Sequence, residues 1–129
     1  MKTTYIYIAL VLALLAGLIF MRNASDGREG SAVATAYDGF AQCLSDAGAK
    51  FYGAYWCPHC QAQKKLFENS KNLPSIECST PDGNGQTPVC KDAGVTSYPT
   101  WIFADGSILE GERQFAELGE KTSCAVPTT

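Results

Sequence analysis

The sequence predicts an α/β domain, a mixed central sheet with helices on both faces, preceded by one N-terminal transmembrane helix. Three observations carry this. Short aromatic and β-branched runs alternate with stretches whose apolar residues recur every three or four positions, in the order helix, strand, helix, strand, helix, strand hairpin, helix. Parallel crossovers followed by an antiparallel hairpin give such a sheet. A pair of cysteines, Cys57 and Cys60, stands where the first strand runs into a helix, and a charge-free run occupies the start of the chain.

With 129 residues, 46% of them hydrophobic, the chain has room for one small domain once a membrane segment is set aside. A formal charge of −3 gives no basic footprint, which argues against nucleic acid as a partner. Six cysteines, Cys43, Cys57, Cys60, Cys78, Cys90 and Cys124, are many for this length, and their even number fits disulfides in an oxidising compartment.

From Tyr5 to Met21 the chain carries no charge, between Lys2 and Arg22. Roughly 17 residues at about 1.5 Å each span about 25 Å, slightly short of a bilayer core and long for the apolar region of a signal peptide. Residues 1–22 are therefore read as a membrane anchor or uncleaved signal. A cleaved signal is the alternative, although Arg22 and Asn23 follow the apolar run and Ala32-Val33-Ala34 lies well downstream. The cysteines place the domain on the extracytoplasmic side of that membrane. Residues 23–34, small, polar and glycine-containing, read as a flexible tether.

The domain is expected over 35–124, with 125–129 as a tail. Ala36, Tyr37, Phe40, Ala41, Leu44 and Ala47 form one helical face before Gly48, so 35–47 reads as an amphipathic helix. Ala49 to Tyr55 suits a buried strand. The next helix begins at Cys57 or Pro58 and is expected to run to about residues 69–72, before Leu73-Pro74. A strand follows over 75–78, then a turn-rich loop, Ser79 to Gln86, that lacks the acidic spacing of a calcium loop. Thr87-Pro88 starts a short helix that Gly94 stops. Residues 95–103 lead into a strand, Asp105-Gly106 signals a two-residue hairpin, and Ser107 to Glu110 returns. Phe115, Ala116 and Leu118 mark a last helix over about 112–122.

The chemistry is concentrated in Trp56-Cys57-Pro58-His59-Cys60. A cysteine at the first turn of a helix faces unpaired backbone N–H groups, where the macrodipole favours an anion. Thiolate is the nucleophile, so Cys57 is read as the attacking residue and Cys60, on the same helical face, as the one that resolves a mixed disulfide. Pro58 near helix position N1 loses no needed N–H. His59, the single histidine, is expected to stabilise the Cys57 thiolate, against the plainer reading of a solvated helix residue. Trp56 is expected to shield the dithiol and Trp101 to belong to the core.

A zinc site would want a second closely spaced cysteine pair, and Cys78 and Cys90 lie too far apart in the chain for that. A bridge between Cys78 and Cys90 would instead close the polar loop between them, worth up to about 3 kcal/mol. Cys43 and Cys124 remain by elimination, either as a second bridge or as two free or intermolecular thiols.

The string YWCPHC at the end of a strand, with SYPTW about forty residues later before a hairpin and a last helix, resembles the thioredoxin superfamily. The likeness covers nearly all of 35–124. It implies that Pro99 is cis and lies beside Cys57, and that the backbone of Tyr98 pairs with an extended substrate segment. The run GAKFYGAYWCPHCQAQKKLF, the later IEC and VC cysteines and YPTW with a following DG are similar to the thioredoxin-like domain associated with bacterial vitamin K epoxide reductase homologues. That likeness implies a thiol-disulfide oxidoreductase with protein thiols as substrates, no cofactor of its own, and a quinone-linked membrane oxidoreductase as a separate partner. Other branches of the superfamily keep a buried acid six residues before the first active-site cysteine; here that position is Phe51, which leaves the proton acceptor open. The rival readings are an extracytoplasmic disulfide reductase or isomerase, and a thioredoxin-fold metal-handling module.

Overall fold

The structure, a computed structural model, describes residues 37–128 together with Ile6 and Thr35. The segment expected to cross a membrane and the tether after it lie, Ile6 apart, outside the described residues. Among the described residues no helix is long and apolar enough to cross a membrane.

The elements are α1 (Asp38–Asp46), β1 (Lys50–Gly53), α2 (Pro58–Leu66), β2 (Ser75–Glu77), α3 (Pro88–Asp92), β3 (Thr100–Ile102), β4 (Ile108–Glu110) and α4 (Phe115–Thr122). The sheet has the order β2-β1-β3-β4. β2 runs parallel to β1, with Tyr52 opposite Ile76, while β3 is antiparallel to both β1 and β4. This is the mixed sheet expected from a crossover followed by a hairpin.

Side-chain alternation along the strands sorts the core into two sides. Phe51 and Trp101 pack with Phe40 and Leu44 of α1, Phe67 and Leu118 on one side, and Cys57 and Cys60 belong to the same cluster. Tyr52 turns the other way, to Cys78, Cys90 and Val95. The larger cluster is aromatic: Phe51 lies 5.0 Å from Trp101, and Phe67 stacks on Phe40 at 5.9 Å and meets Phe115 edge-on at 4.7 Å. Such pairs contribute about 0.5–1.5 kcal/mol each beyond the area they bury. Trp101 is fully buried.

Three boundaries differ from the sequence reading. α2 stops at Leu66 because Glu68 and Asn69 both take left-handed φ, 52° and 56°, and the Asn69 N–H folds back to the Lys64 carbonyl at 2.9 Å. The hairpin has a three-residue loop, Ala104-Asp105-Gly106, instead of two. The Gly106 N–H reaches the Phe103 carbonyl at 2.9 Å, and Gly106 itself adopts φ 78°, which a side chain would resist. α4 starts at Phe115, later than expected, because the backbone of Arg113 is held elsewhere: its N–H and its carbonyl both bond the side chain of Gln63.

Candidate functional site

β1 delivers the chain to the site and α2 begins there. Cys57 is the N-cap of α2 with extended backbone, φ −79° and ψ 118°, Pro58 follows it in the first turn, and its Sγ accepts the Cys60 N–H at 3.2 Å. A capping side chain of this kind satisfies one of the amide donors that every helix leaves open at its start. The Cys60 thiol donates to the same sulfur across 2.6 Å. Both thiols are free and both are buried. Burial first, and then the hydrogen bond to Cys57, push the Cys60 thiol up to about 12. Cys60 is thus held protonated, while the capping sulfur of Cys57 collects two donors.

The floor beneath Cys60 is backbone. A Cβ on Gly53 would stand 3.0 Å from the Cys60 sulfur, so only glycine lets β1 pass this close.

One wall of the site is aromatic. Tyr55 and Trp56 are each half exposed. The Trp56 indole N–H donates to Ser79 Oγ at 2.8 Å, and its ring meets Tyr98 edge-on at 6.0 Å. Glu77 accepts the backbone N–H groups of Tyr55 and Ser79 at 3.1 and 2.9 Å, tying the turn before the dithiol to the loop that supports Trp56. That loop is anchored at Cys78, which is bonded to Cys90 with Cα atoms 5.6 Å apart. Cys43 and Cys124 form the second bridge, Cα atoms 5.9 Å apart, joining α1 to the end of α4.

The Tyr98-Pro99 peptide bond is cis. Pro99 is buried, and Tyr98 packs against the cluster that contains both thiols. The Tyr98 hydroxyl accepts from Gln86 Nε2 at 2.9 Å.

A strap, residues 110–113, ties α2 to the turn at Pro99. The Gly111 N–H donates to the Pro99 carbonyl at 2.7 Å. Glu112 Oε1 lies 2.6 Å from His59 Nδ1. Gln63 of α2, fully buried, donates to the Arg113 carbonyl at 3.0 Å and accepts the Arg113 N–H at 2.6 Å. His59 is largely exposed, and its ring bonds Glu112, while the donors on the Cys57 sulfur come from Cys60.

Gly53, Gln63, Glu77 and Glu112 are the residues that sequence reasoning passed over. Two left a signal. An isolated glycine in an aromatic strand marks a close backbone approach, and Gln63 is the polar member of the Cys60-Gln63-Phe67 stripe on a helix whose other stripe residues are buried. Glu77 and Glu112 left none.

No protein-family model matches the chain. The chain is similar to the thiol-disulfide oxidoreductase LTO1 of Arabidopsis thaliana, with 44% identity over 88 residues, 64% of this chain. The matched stretch spans 23% of the length of that relative.

Proposed function

We propose that this chain is a protein thiol-disulfide oxidoreductase whose working pair is Cys57 and Cys60. The observation that carries the reading is the geometry of that pair: one sulfur capping a helix, 2.6 Å from a second that is buried and held as a thiol. The thiol-disulfide oxidoreductase activity for which the Arabidopsis relative is named supports the same reading.

In the oxidising direction a substrate thiolate attacks Cys57 Sγ of the Cys57–Cys60 disulfide. The bond between the two cysteines breaks, its electron pair passes to Cys60, and Cys60 takes a proton. A second substrate thiolate then attacks its partner sulfur in the mixed disulfide and expels Cys57. Two substrate thiols lose two electrons and two protons, and the dithiol gains them. In this reading Trp56 and Tyr98, whose rings meet edge-on, line the approach, and the cis Pro99 is assigned its floor. His59 sits on the open rim, where it can act on the incoming sulfur.

The fuller form of the proposal places the domain outside the cytoplasm, tethered by residues 1–22, and passes its electrons to a quinone-linked membrane protein resembling vitamin K epoxide reductase. Two structural disulfides in a domain of this size favour an oxidising compartment, and the charge-free stretch from Tyr5 to Met21 favours attachment.

The test is the reduction potential of the Cys57/Cys60 pair, with Cys57→Ser as the control for assignment. A potential between about −120 and −200 mV is expected for a donor of disulfides, and one near −270 mV or below would mark a reductant and overturn the oxidative direction. Failure of the pair to exchange with any dithiol buffer would overturn the enzyme itself.

A further inference from the structure

We propose that Glu112 is a positioning residue that turns His59 into the proton acceptor for the thiol attacking Cys57. This rests on the redox reading above and assigns its missing base.

His59 is the single imidazole of the chain. Its Nδ1 lies 2.6 Å from Glu112 Oε1, so Nδ1–H donates to the carboxylate. A carboxylate on one ring nitrogen fixes tautomer and orientation and leaves the other, Nε2, as the basic atom. The Cys57 sulfur already receives the Cys60 N–H and thiol from within the fold. The ring itself is largely exposed, open to an incoming substrate sulfur.

A free surface ion pair would carry little meaning. Glu112, however, is held from both sides. Gly111 is bonded to the Pro99 carbonyl, and Arg113 is clamped at N–H and carbonyl by the buried Gln63. The core therefore sets where the carboxylate stands, and the same strap fixes it relative to the redox helix and to Pro99. Among the described residues no carboxylate or imidazole bonds Cys60, whose partners are Cys57 and the Ala54 backbone, and Phe51 on the neighbouring strand is apolar and fully buried. The rim is where a base is found.

The step balances as follows. The docked substrate thiol gives its proton to Nε2, and its sulfur lone pair forms the new bond to Cys57 Sγ. The Cys57–Cys60 bond breaks with its pair on Cys60, which takes a proton, and the ring returns its own to water. One proton thus passes from substrate thiol to Cys60 for each exchange. The charged group that bonds the ring is Glu112 from the strap. Lys64 acts on Cys60, and the Arg113 guanidinium is turned to Glu117 and to the Glu110 carbonyl.

The experiment follows reduction of the oxidised full-length chain by reduced glutathione from pH 5.5 to 9, in wild type, His59→Phe, Glu112→Gln and Glu112→Ala. A positioned base gives about 10²- to 10⁴-fold at most. At pH 6 the expected loss is at least tenfold for His59→Phe and Glu112→Ala, with Glu112→Gln in between. At pH 9, where the probe is already thiolate, all rates should converge within twofold. Profiles that coincide, or that fall by one factor at every pH, would overturn the role of Glu112 and leave the oxidoreductase reading standing. Absence of exchange in wild type would overturn both. Retention of both structural disulfides, checked by mass, separates these outcomes from misfolding.

Discussion

Gly53 lies directly beneath Cys60: a methyl group on its Cα would stand 3.0 Å from the sulfur and 3.3 Å from the Cys60 Cβ. The contact couples the end of β1 to the Cys60 thiol, and so couples the packing of the sheet to the 2.6 Å separation of the two sulfurs.

Gly53→Ala is expected to force Cys60 away from the strand. Overpacking at a filled site costs about 1–3 kcal/mol. The variant should unfold at lower urea, and the loss should be accompanied by slower closure of the Cys57–Cys60 disulfide, because the displaced atom is the reacting one. An unchanged midpoint with unchanged closure would mean that the strand yields freely and that the glycine is incidental.

Cys60 should behave as an inert thiol until strongly basic pH. Burial raises it to about 12, against about 8.5 for a free cysteine. Because the folded value lies above the unfolded one, the buried neutral thiol contributes stability that is complete below about pH 8.5 and is lost as pH climbs towards 12. Alkylation of the reduced, folded protein at pH 8, mapped by mass, should leave Cys60 unmodified, with its rate rising about tenfold per pH unit above that. Ready labelling of Cys60 at pH 8 would contradict the burial that the helix and Gly53 impose.

How much of this was legible in the sequence depended on whether the signal was local. The dithiol at a helix start, the short α3 behind Thr87-Pro88 and the order of elements along the chain all follow from residues adjacent in the chain. The hairpin at Asp105-Gly106 was located correctly but sized wrongly, because Gly106 serves as the left-handed third residue of the loop and not as half of a two-residue turn. The strap was invisible. Its residues look like the first turn of α4, and only the arrival of Gln63 from 50 positions away removes the Arg113 amide from that helix. The same distance hid the partner of His59: a lone glutamate 53 residues downstream carries no pattern. α2 ended early for a related reason, since Glu68 and Asn69 take left-handed backbone just after Phe67 has entered the aromatic cluster.

The two structural disulfides should separate stability from activity. Cys43–Cys124 closes a sequence separation of 81 and Cys78–Cys90 one of 12. In the chain-entropy model these contribute about 4.5 and about 3 kcal/mol. Replacing Cys43 and Cys124 together by alanine should therefore lower the urea midpoint further than replacing Cys78 and Cys90. The order in thiol-disulfide exchange should be the reverse. Cys43 and Cys124 join α1 to the end of α4, and the hydrogen bonds described around Cys57, Trp56, His59 and Pro99 come from other segments. Cys78 precedes Ser79, which holds the Trp56 indole, and follows Glu77, which holds the turn at Tyr55. Loosening that bridge should let the aromatic wall move and slow exchange with a protein substrate, while exchange with a small dithiol changes little. Equal losses of exchange in both variants would show that the loop holds its place without the bridge, through the Ser79–Gln86 pairing and the Thr87 contacts to Glu77 and Cys78 alone.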